Sequence, residues 1–578
     1  MKRRELVTGA GAGAMMMLAG CNATGAQSGP LPPVRSRLID VHNHIFNGSD
    51  LPTVRFIKIV VLKHYPKQAV KVLDIDDKDV IDQLIALLTF IVGRTKAPTA
   101  FTETRVLDRE QPPVAVNTQS ADNESAVISA IAEFSVDRGV AVNSQALDNP
   151  GGFRKLRRAV LSAAGESGLG VSDEPITKNQ TEQIARKAYH SKFDLGLLLR
   201  WFALFTRYRY VLLDQLTADH RAQGFDAVLS CPALIDYDHW LGERVDRSPL
   251  PAQVAVMGRL ARRKNGPVVH GYVGFDPLRQ VAWEAGTFKA YDPLALVTRA
   301  IREEGFVGVK LYSPMGFRPM GNSDPCQTYP DIDSVNELLG KSGADTTTQN
   351  CIPRPADGSR RLGERLDGAM AKLFDTCVTE GASILAHTND SNGAAQDFSK
   401  RADPAYWLPV LQKWPKLHVG LAHFGSFTAR SVGSPADAGL PQASWEWTVG
   451  RFMKQHAQAP VYYDISYLVE MVGLIKPDYD RYAGTLRAWV SEFDPDCRHL
   501  MFGTDWTMLG LDPAYEGYTA RVYDFFEKII GFNKTRLDRL FWGNAAAFLG
   551  LQDNGGGRER LLKFYARNGL PESRLPRF

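Results

Sequence analysis

The stretch Leu38-Ile39-Asp40-Val41-His42-Asn43-His44 decides how this chain is read. A short apolar run leads into two histidines two positions apart. Strand side chains alternate between faces, so His42 and His44 share one face, and Asp40 lies on it one layer deeper. Neutral imidazole is the commonest metal-binding side chain, so the pair reads as part of a metal site built on a strand. Two unrelated histidines in a loop would give the same string. The strand reading gains because later segments supply matching ligands at their own C-terminal ends.

Seven further apolar segments read as strands: Ala227–Asp236, Val268–Phe275, Phe306–Leu311, Ser383–Thr388, Leu417–Phe424, Val461–Ser466 and Leu500–Asp505. Most intervals between them hold helix-like stretches, such as Leu294–Glu304 and Arg365–Glu380. Strand alternating with helix makes a parallel sheet with helices outside, and eight such units make an α/β chain of the (β/α)8 TIM-barrel type. The barrel would occupy 38–44 and 226–550, with a helical tail over 551–578.

The interval between the first two strands, residues 45–225, is 181 residues long, far beyond an ordinary connection. Val80, Leu84, Leu87, Leu88 and Ile91 follow helical spacing, and Leu195–Leu216 reads as a second helix. Asp108–Ser125, polar and with Pro112 and Pro113, reads as a loop. The expectation is a large helical insertion leaving the barrel's C-terminal rim. It either caps the site there or packs along the barrel's flank.

With 578 residues, 44% hydrophobic and 23% charged, the composition is that of an ordinary globular protein. The net charge is +4, and half of it comes from Lys2, Arg3, Arg4 and Glu5, which gives no reason to expect a nucleic-acid partner. Lys2-Arg3-Arg4, the mildly apolar Leu6–Gly20 and then Leu18-Ala19-Gly20-Cys21 follow the order of a lipoprotein-type signal peptide over 1–20. The apolar part is shorter than the roughly 20 residues that span a bilayer. Cys21 would carry the lipid, residues 21–37 would tether the barrel, and Arg3-Arg4 resembles a twin-arginine export signal. The expected location is the periplasm or cell envelope, with that lipid anchor as the sole membrane attachment. A chance Leu-Ala-Gly-Cys in a cytosolic N-terminus is the alternative. Gly9–Ala14 fits a dinucleotide-binding glycine pattern, but no strand precedes it. No Cys-x-x-Cys pair occurs; Cys326 and Cys351 share one loop and could pair in an oxidising compartment.

The fifth strand ends in His387, the sixth in His423 and the eighth in Asp505. With His42 and His44, five metal-competent side chains would converge at one end of one barrel. This pattern, together with Gly503-Thr504-Asp505-Trp506 and the later Gly543-Asn544-Ala545, resembles the amidohydrolase superfamily, in its amidohydrolase-related branch. The resemblance covers 38–44 and about 226–550, not the insertion. It implies that His42, His44, His387 and Asp505 bind one divalent metal: zinc first, with manganese, iron or nickel as alternatives. It implies that His423 polarises the scissile group or shuttles a proton, and that Asp505 takes a proton from metal-bound water. Such a metal lowers the water's pKa from about 15.7 to roughly 7. In two-metal members a lysine on the fourth strand is carboxylated and bridges the metals; Lys310 holds that place here. The expectation is one metal, with Lys310 pairing a carboxylate or binding substrate. Arg318, in the loop after the fourth strand, would grip a substrate carboxylate, or is an ordinary salt-bridged arginine.

The implied activity is hydrolysis at a carbonyl of a small substrate: a lactone, an amide or an ester-like bond. A non-oxidative decarboxylase is the alternative, since the same branch contains such members. A more remote one is a silent ligand-binding lipoprotein. A serine hydrolase is disfavoured because no Gly-x-Ser-x-Gly elbow is present.

Overall fold

The computed structural model describes residues 31–52, 97–109, 201, 204–339, 360–389, 391, 393–395, 398–425, 427, 442, 444–468, 476–511, 515 and 517–578. The chain forms two compact units. One comprises Met1–Leu31, Phe46–Leu212 and Gly510–Pro513; the other comprises Pro32–Ile45, Leu213–Leu509 and Ala514–Phe578.

The second unit holds all eight strands, in the order the sequence implies: β1 (Ser36–Asn43), β2 (Phe225–Pro232), β3 (Tyr272–Gly274), β4 (Gly308–Leu311), β5 (Ser383–His387), β6 (Val419–Ala422), β7 (Val461–Asp464) and β8 (Leu500–Met501). Every pairing is parallel. Helices separate most neighbours, among them Leu250–Arg262, Pro293–Glu303, Leu362–Glu380, Trp445–Gln455 and Lys476–Phe493. This is the (β/α)8 succession. Pro293–Glu303 shows why such helices form. The Asp292 carboxylate accepts the N–H groups of Leu294 and Ala295, proline sits at the first helical position, and Leu296, Val297, Ala300 and Ile301 form one buried stripe.

The ladders are β1–β2 and β3 through β8, so the strands do not close into one continuous barrel. Between β2 and β3 the link is reduced to single bridges, Ser230 to Val269 and Ala233 to Tyr272. Between β8 and β1 it consists of backbone bonds: Val41 N–H to the Phe502 carbonyl (3.2 Å), and Thr504 and Asp505 N–H to the His42 carbonyl (3.0 and 2.8 Å). The expected strand Leu500–Asp505 therefore shrinks to two residues, because two successive N–H groups turn onto one carbonyl. Gly503 permits this close passage: a Cβ there would lie 2.9 Å from the His42 Cβ and 3.2 Å from its amide nitrogen.

The N-terminal ends of the strands are covered by the short helix Asn544–Phe548. Asn544 Nδ2 donates to the carbonyls of Cys497 (2.9 Å) and Leu500 (2.7 Å) at the start of β8. The Phe548 carbonyl accepts from Ser383 Oγ (2.6 Å) and His418 Nδ1 (2.9 Å), at the starts of β5 and β6. His270 is a core residue, bonded to the Gly305 carbonyl (2.7 Å) and Tyr565 Oη (3.0 Å). The helix Gly556–Arg567 follows.

Of the first unit, the described residues show the helix Ala100–Leu107, capped by Thr99, and a buried ion cluster. Arg209 Nη1 donates to Glu103 (2.8 Å) and Nε to Asp50 (3.0 Å), while the other Glu103 oxygen accepts Tyr210 N–H (2.9 Å). The single helix expected over Leu195–Leu216 is interrupted: Phe205–Arg207 form a turn and a helix restarts at Arg209. Arg209 meets both carboxylates, and Tyr210 N–H is satisfied by Glu103 at that restart, which spacing alone does not reveal. The helix expected around Val80–Ile91, most of the Asp108–Ser125 loop, and residues 1–30 with Cys21 lie outside the described residues.

Gly503→Ala is expected to lower stability by about 1–3 kcal/mol, the usual cost of adding a methyl group to a packed site. Urea unfolding measures it; an unchanged midpoint would show that β8 has room to move away from His42.

Candidate metal centre

The site begins with a buried carboxylate. Asp40, on β1, accepts Thr504 N–H (3.0 Å) at one oxygen and Thr504 Oγ1–H (2.7 Å) at the other. Thr504 Oγ1 in turn accepts Trp506 N–H (3.1 Å). These bonds fix the backbone on both sides of Asp505, which takes a left-handed conformation (φ 56°). His423, beyond the end of β6, is also left-handed (φ 65°). Non-glycine residues rarely adopt this region, and such strain persists only where neighbouring bonds enforce it. At His423 the enforcing bond runs from its own N–H to Asp464 Oδ1 (3.1 Å).

The two imidazoles of β1 then meet the strand-8 carboxylate. Asp505 Oδ1 lies 3.1 Å from His44 Nε2 and 3.6 Å from His42 Nε2. The donor atoms of His42, His44 and Asp505 all fall within 4.8 Å of one another, as do those of His42, His423 and Asp464. The far ring nitrogens are held. His44 Nδ1 faces the Ala233 carbonyl (2.9 Å), which can only accept, so Nδ1 carries a hydrogen and Nε2 is the nitrogen turned to Asp505. His42 Nδ1 faces Asp464 Oδ2 (3.1 Å) and Ser466 Oγ (2.9 Å), leaving its Nε2 as acceptor. A carboxylate or carbonyl behind each imidazole is the usual support of a metal-ligating histidine.

In this structure His42 Nε2 accepts from the Lys310 ammonium (2.8 Å). Burial pulls that ammonium down to about 8, with Asp464 and Asp505 opposing the fall. Burial, then Lys310, pulls His42 down to about 3. Burial would raise Asp505, but the His44 hydrogen bond and the charges of His423 and His42 outweigh it and hold the carboxyl at about 2. Asp464 is likewise lowered against the effect of burial, chiefly by His42. At neutral pH the imidazole of His42 is thus neutral and both carboxyls are ionised, the protonation state a metal requires of its ligands. The donor set, two imidazole nitrogens and a carboxylate, fits a divalent cation of the zinc class.

His387 is placed differently from the other expected ligands. Its Nδ1 meets His423 Nε2 (3.0 Å) and its Nε2 bonds Ser391 Oγ, so it lies outside both groups of converging donors. His423 Nδ1 bonds the carbonyl (3.3 Å) and hydroxyl (3.0 Å) of Ser466. The ring of Tyr312, just after β4, stands 4.4 Å from that of His387. Arg318 reaches the Gly321 carbonyl (3.1 Å) and Asp324 (3.4 Å). Asp464, Ser466, Ser391 and Tyr312 complete the surroundings of these imidazoles. Asp464 had a usable signal, an acidic residue at the C-terminal end of a strand; the other three had none.

Residues 332–551 match the amidohydrolase family model. That span carries β5 through β8 and the Gly543-Asn544-Ala545 segment. The superfamily resemblance carried by the strand-end motifs is thereby borne out; β1 with its two histidines lies outside the matched span. No curated protein matches the chain. Among solved structures, similar ones include an amidohydrolase from Burkholderia multivorans with bound HEPES, at 14% identity, covering 60% of this chain and 91% of that one, TM-score 0.34. The zinc-bound form shows 16% identity, 60% and 91% coverage, and TM-score 0.32. An uncharacterised TIM-barrel protein from Bordetella bronchiseptica shows 16% identity, 58% and 82% coverage, and TM-score 0.31. At this degree of likeness no residue role is transferred from them.

Removing the carboxylate behind His42 tests the geometry. Asp464→Asn is expected to weaken metal binding about 10–100-fold while the protein stays folded. Chelator competition reads the affinity; wild-type affinity would mean that Asp464 does not orient a ligand.

Proposed function

We propose that this chain is an exported, metal-dependent hydrolase acting on a carbonyl of a small substrate: a lactone, an amide or an ester-like bond. The observation that carries the reading is the meeting of His42 Nε2, His44 Nε2 and Asp505 Oδ1, with both far imidazole nitrogens already engaged. His42, His44 and Asp505 would hold one divalent metal, zinc before manganese, iron or nickel; His387 is a further candidate ligand, and a second metal on a carboxylated Lys310 is the lesser alternative. When bound, such a metal polarises a carbonyl and makes water nucleophilic at neutral pH.

The protein groups supply the rest. Asp505, ionised and bonded to His44, can accept a proton at a carboxylate oxygen. His423 is buried and lowered by that burial, so its neutral imidazole can hold or pass a proton at Nε2, with Ser466 fixing Nδ1. Lys310 offers the buried cation of the centre, which stabilises charge developing on a substrate oxygen. His42 and Asp464 are sealed from solvent, and His44, Asp505, His387 and His423 nearly so. In such a water-poor setting fixed charges act strongly.

Export is supported by the order basic, apolar, small residues, cysteine in the first 21 residues. It is supported also by Cys326, which is disulfide-bonded, since such bonds persist in oxidising compartments. Its expected partner, Cys351, lies outside the described residues. Among the described residues no helix is long and apolar enough to cross a membrane.

Asp505→Asn is expected to lower turnover of a responsive lactone or ester about 10²–10⁴-fold with the fold retained. His42→Ala is expected to abolish it together with bound metal. Products formed in isotopically labelled water separate the chemistries. Label in the product acid supports hydrolysis; release of carbon dioxide with no labelled oxygen in the organic product would replace it with decarboxylation. Wild-type turnover in either variant would refute the assignment.

A further inference from the structure

The loops after β4 and β5 bring two guanidinium groups together, and the inner one has no carboxylate partner among the described residues. Arg401 is 6% exposed. Its Nη1 donates to the Gly316 carbonyl and its Nη2 to the Thr328 carbonyl. Its guanidinium carbon stands 3.6 Å from the centre of the Phe398 ring and 5.9 Å from that of Tyr329. None of these neighbours is an acid. Burial pulls the group down to about 9; Tyr329 opposes the fall and Arg318 adds to it. Arg401 is therefore still a cation at neutral pH, and no carboxylate among the described residues compensates its charge.

Arg318 is the second cation. It stacks on Tyr406 at 4.9 Å, and its one acidic contact among the described residues, Asp324, is a half-exposed carboxylate 3.4 Å away. Two buried donors on the loop after β4 have no hydrogen-bond partner among the described residues: Arg318 Nε and the hydroxyl of Ser313, which is fully buried. Unmade hydrogen bonds of buried donors and adjacent like charges both cost free energy, and a bound anion removes both costs.

The location links this cluster to the centre. Ser313 follows Tyr312, whose ring lies against His387. Ala394 N–H bonds the Pro314 carbonyl (3.2 Å), tying the loop after β4 to the loop after β5.

We propose that Arg401, Arg318 and Ser313 Oγ form a subsite for an oxyanion substituent of the substrate, a carboxylate or a phosphate. A planar guanidinium fork suits either group. That the scissile carbonyl then sits at the His42–Asp505 end rests on the hydrolase reading; the anion subsite itself does not.

Calorimetric titration of the intact protein with isophthalate, phenyl phosphate and the neutral isophthalamide reads the subsite without turnover. At least one anion is expected to bind about tenfold or more tightly than the diamide, a charge-assisted hydrogen bond being enough for that ratio, and the tighter anion names the group. Arg401→Met and Arg318→Gln are each expected to erase most of the preference. Arg401 also holds two backbone carbonyls, so Arg318→Gln decides the matter if Arg401→Met fails to fold. Equal binding of anions and diamide, no binding of either anion, or an unchanged preference in Arg318→Gln would overturn the subsite. Failure of the hydrolase reading shows separately, as product without labelled oxygen.

Discussion

The site depends on the fastening of β8 to β1. Asp40 takes both the N–H and the hydroxyl of Thr504, and the His42 carbonyl accepts that same Thr504 N–H and the N–H of Asp505. These bonds stand in place of a ladder between β8 and β1. They also decide where Asp505 points. A carboxylate more than 460 positions along the chain from two histidines comes to share one oxygen with both. Gly503 is the steric condition for this, because any side chain there would meet His42.

A second layer orders the charges. Asp464 anchors His42 through Nδ1 and His423 through its backbone N–H, so one carboxylate at the end of β7 positions two imidazoles. The Lys310 ammonium faces His42 on the other ring nitrogen. The centre thus gathers ionised carboxylates, imidazoles and one buried cation with little water. Buried charges of this kind are retained only when paired, and each here has a named partner. The same rule makes Arg401 conspicuous, since its partners among the described residues are backbone carbonyls, the Thr328 hydroxyl and aromatic rings.

Much of this was legible in the sequence because strand ends carry chemistry in this architecture. All eight strands were placed from apolar runs, and His42, His44 and Asp505 from their positions at strand ends. What escaped was set by contacts between residues distant in sequence. Asp464 looks like any acid in Tyr462-Tyr463-Asp464 until His42 is seen against it. The turn at Phe205–Arg207 interrupts an apolar stretch that reads as one helix, and the restart beyond it sets Arg209 between two acids that spacing cannot see. His387 has the strand-end position of a ligand, yet its ring nitrogens go to His423 and Ser391, a difference of side-chain direction that periodicity does not encode.

An anomalous-scattering map from crystals of metal-loaded protein tests the central claim most directly. The account predicts one strong peak in contact with His42 Nε2, His44 Nε2 and an oxygen of Asp505. A peak elsewhere, or none under metal-replete conditions, would contradict it.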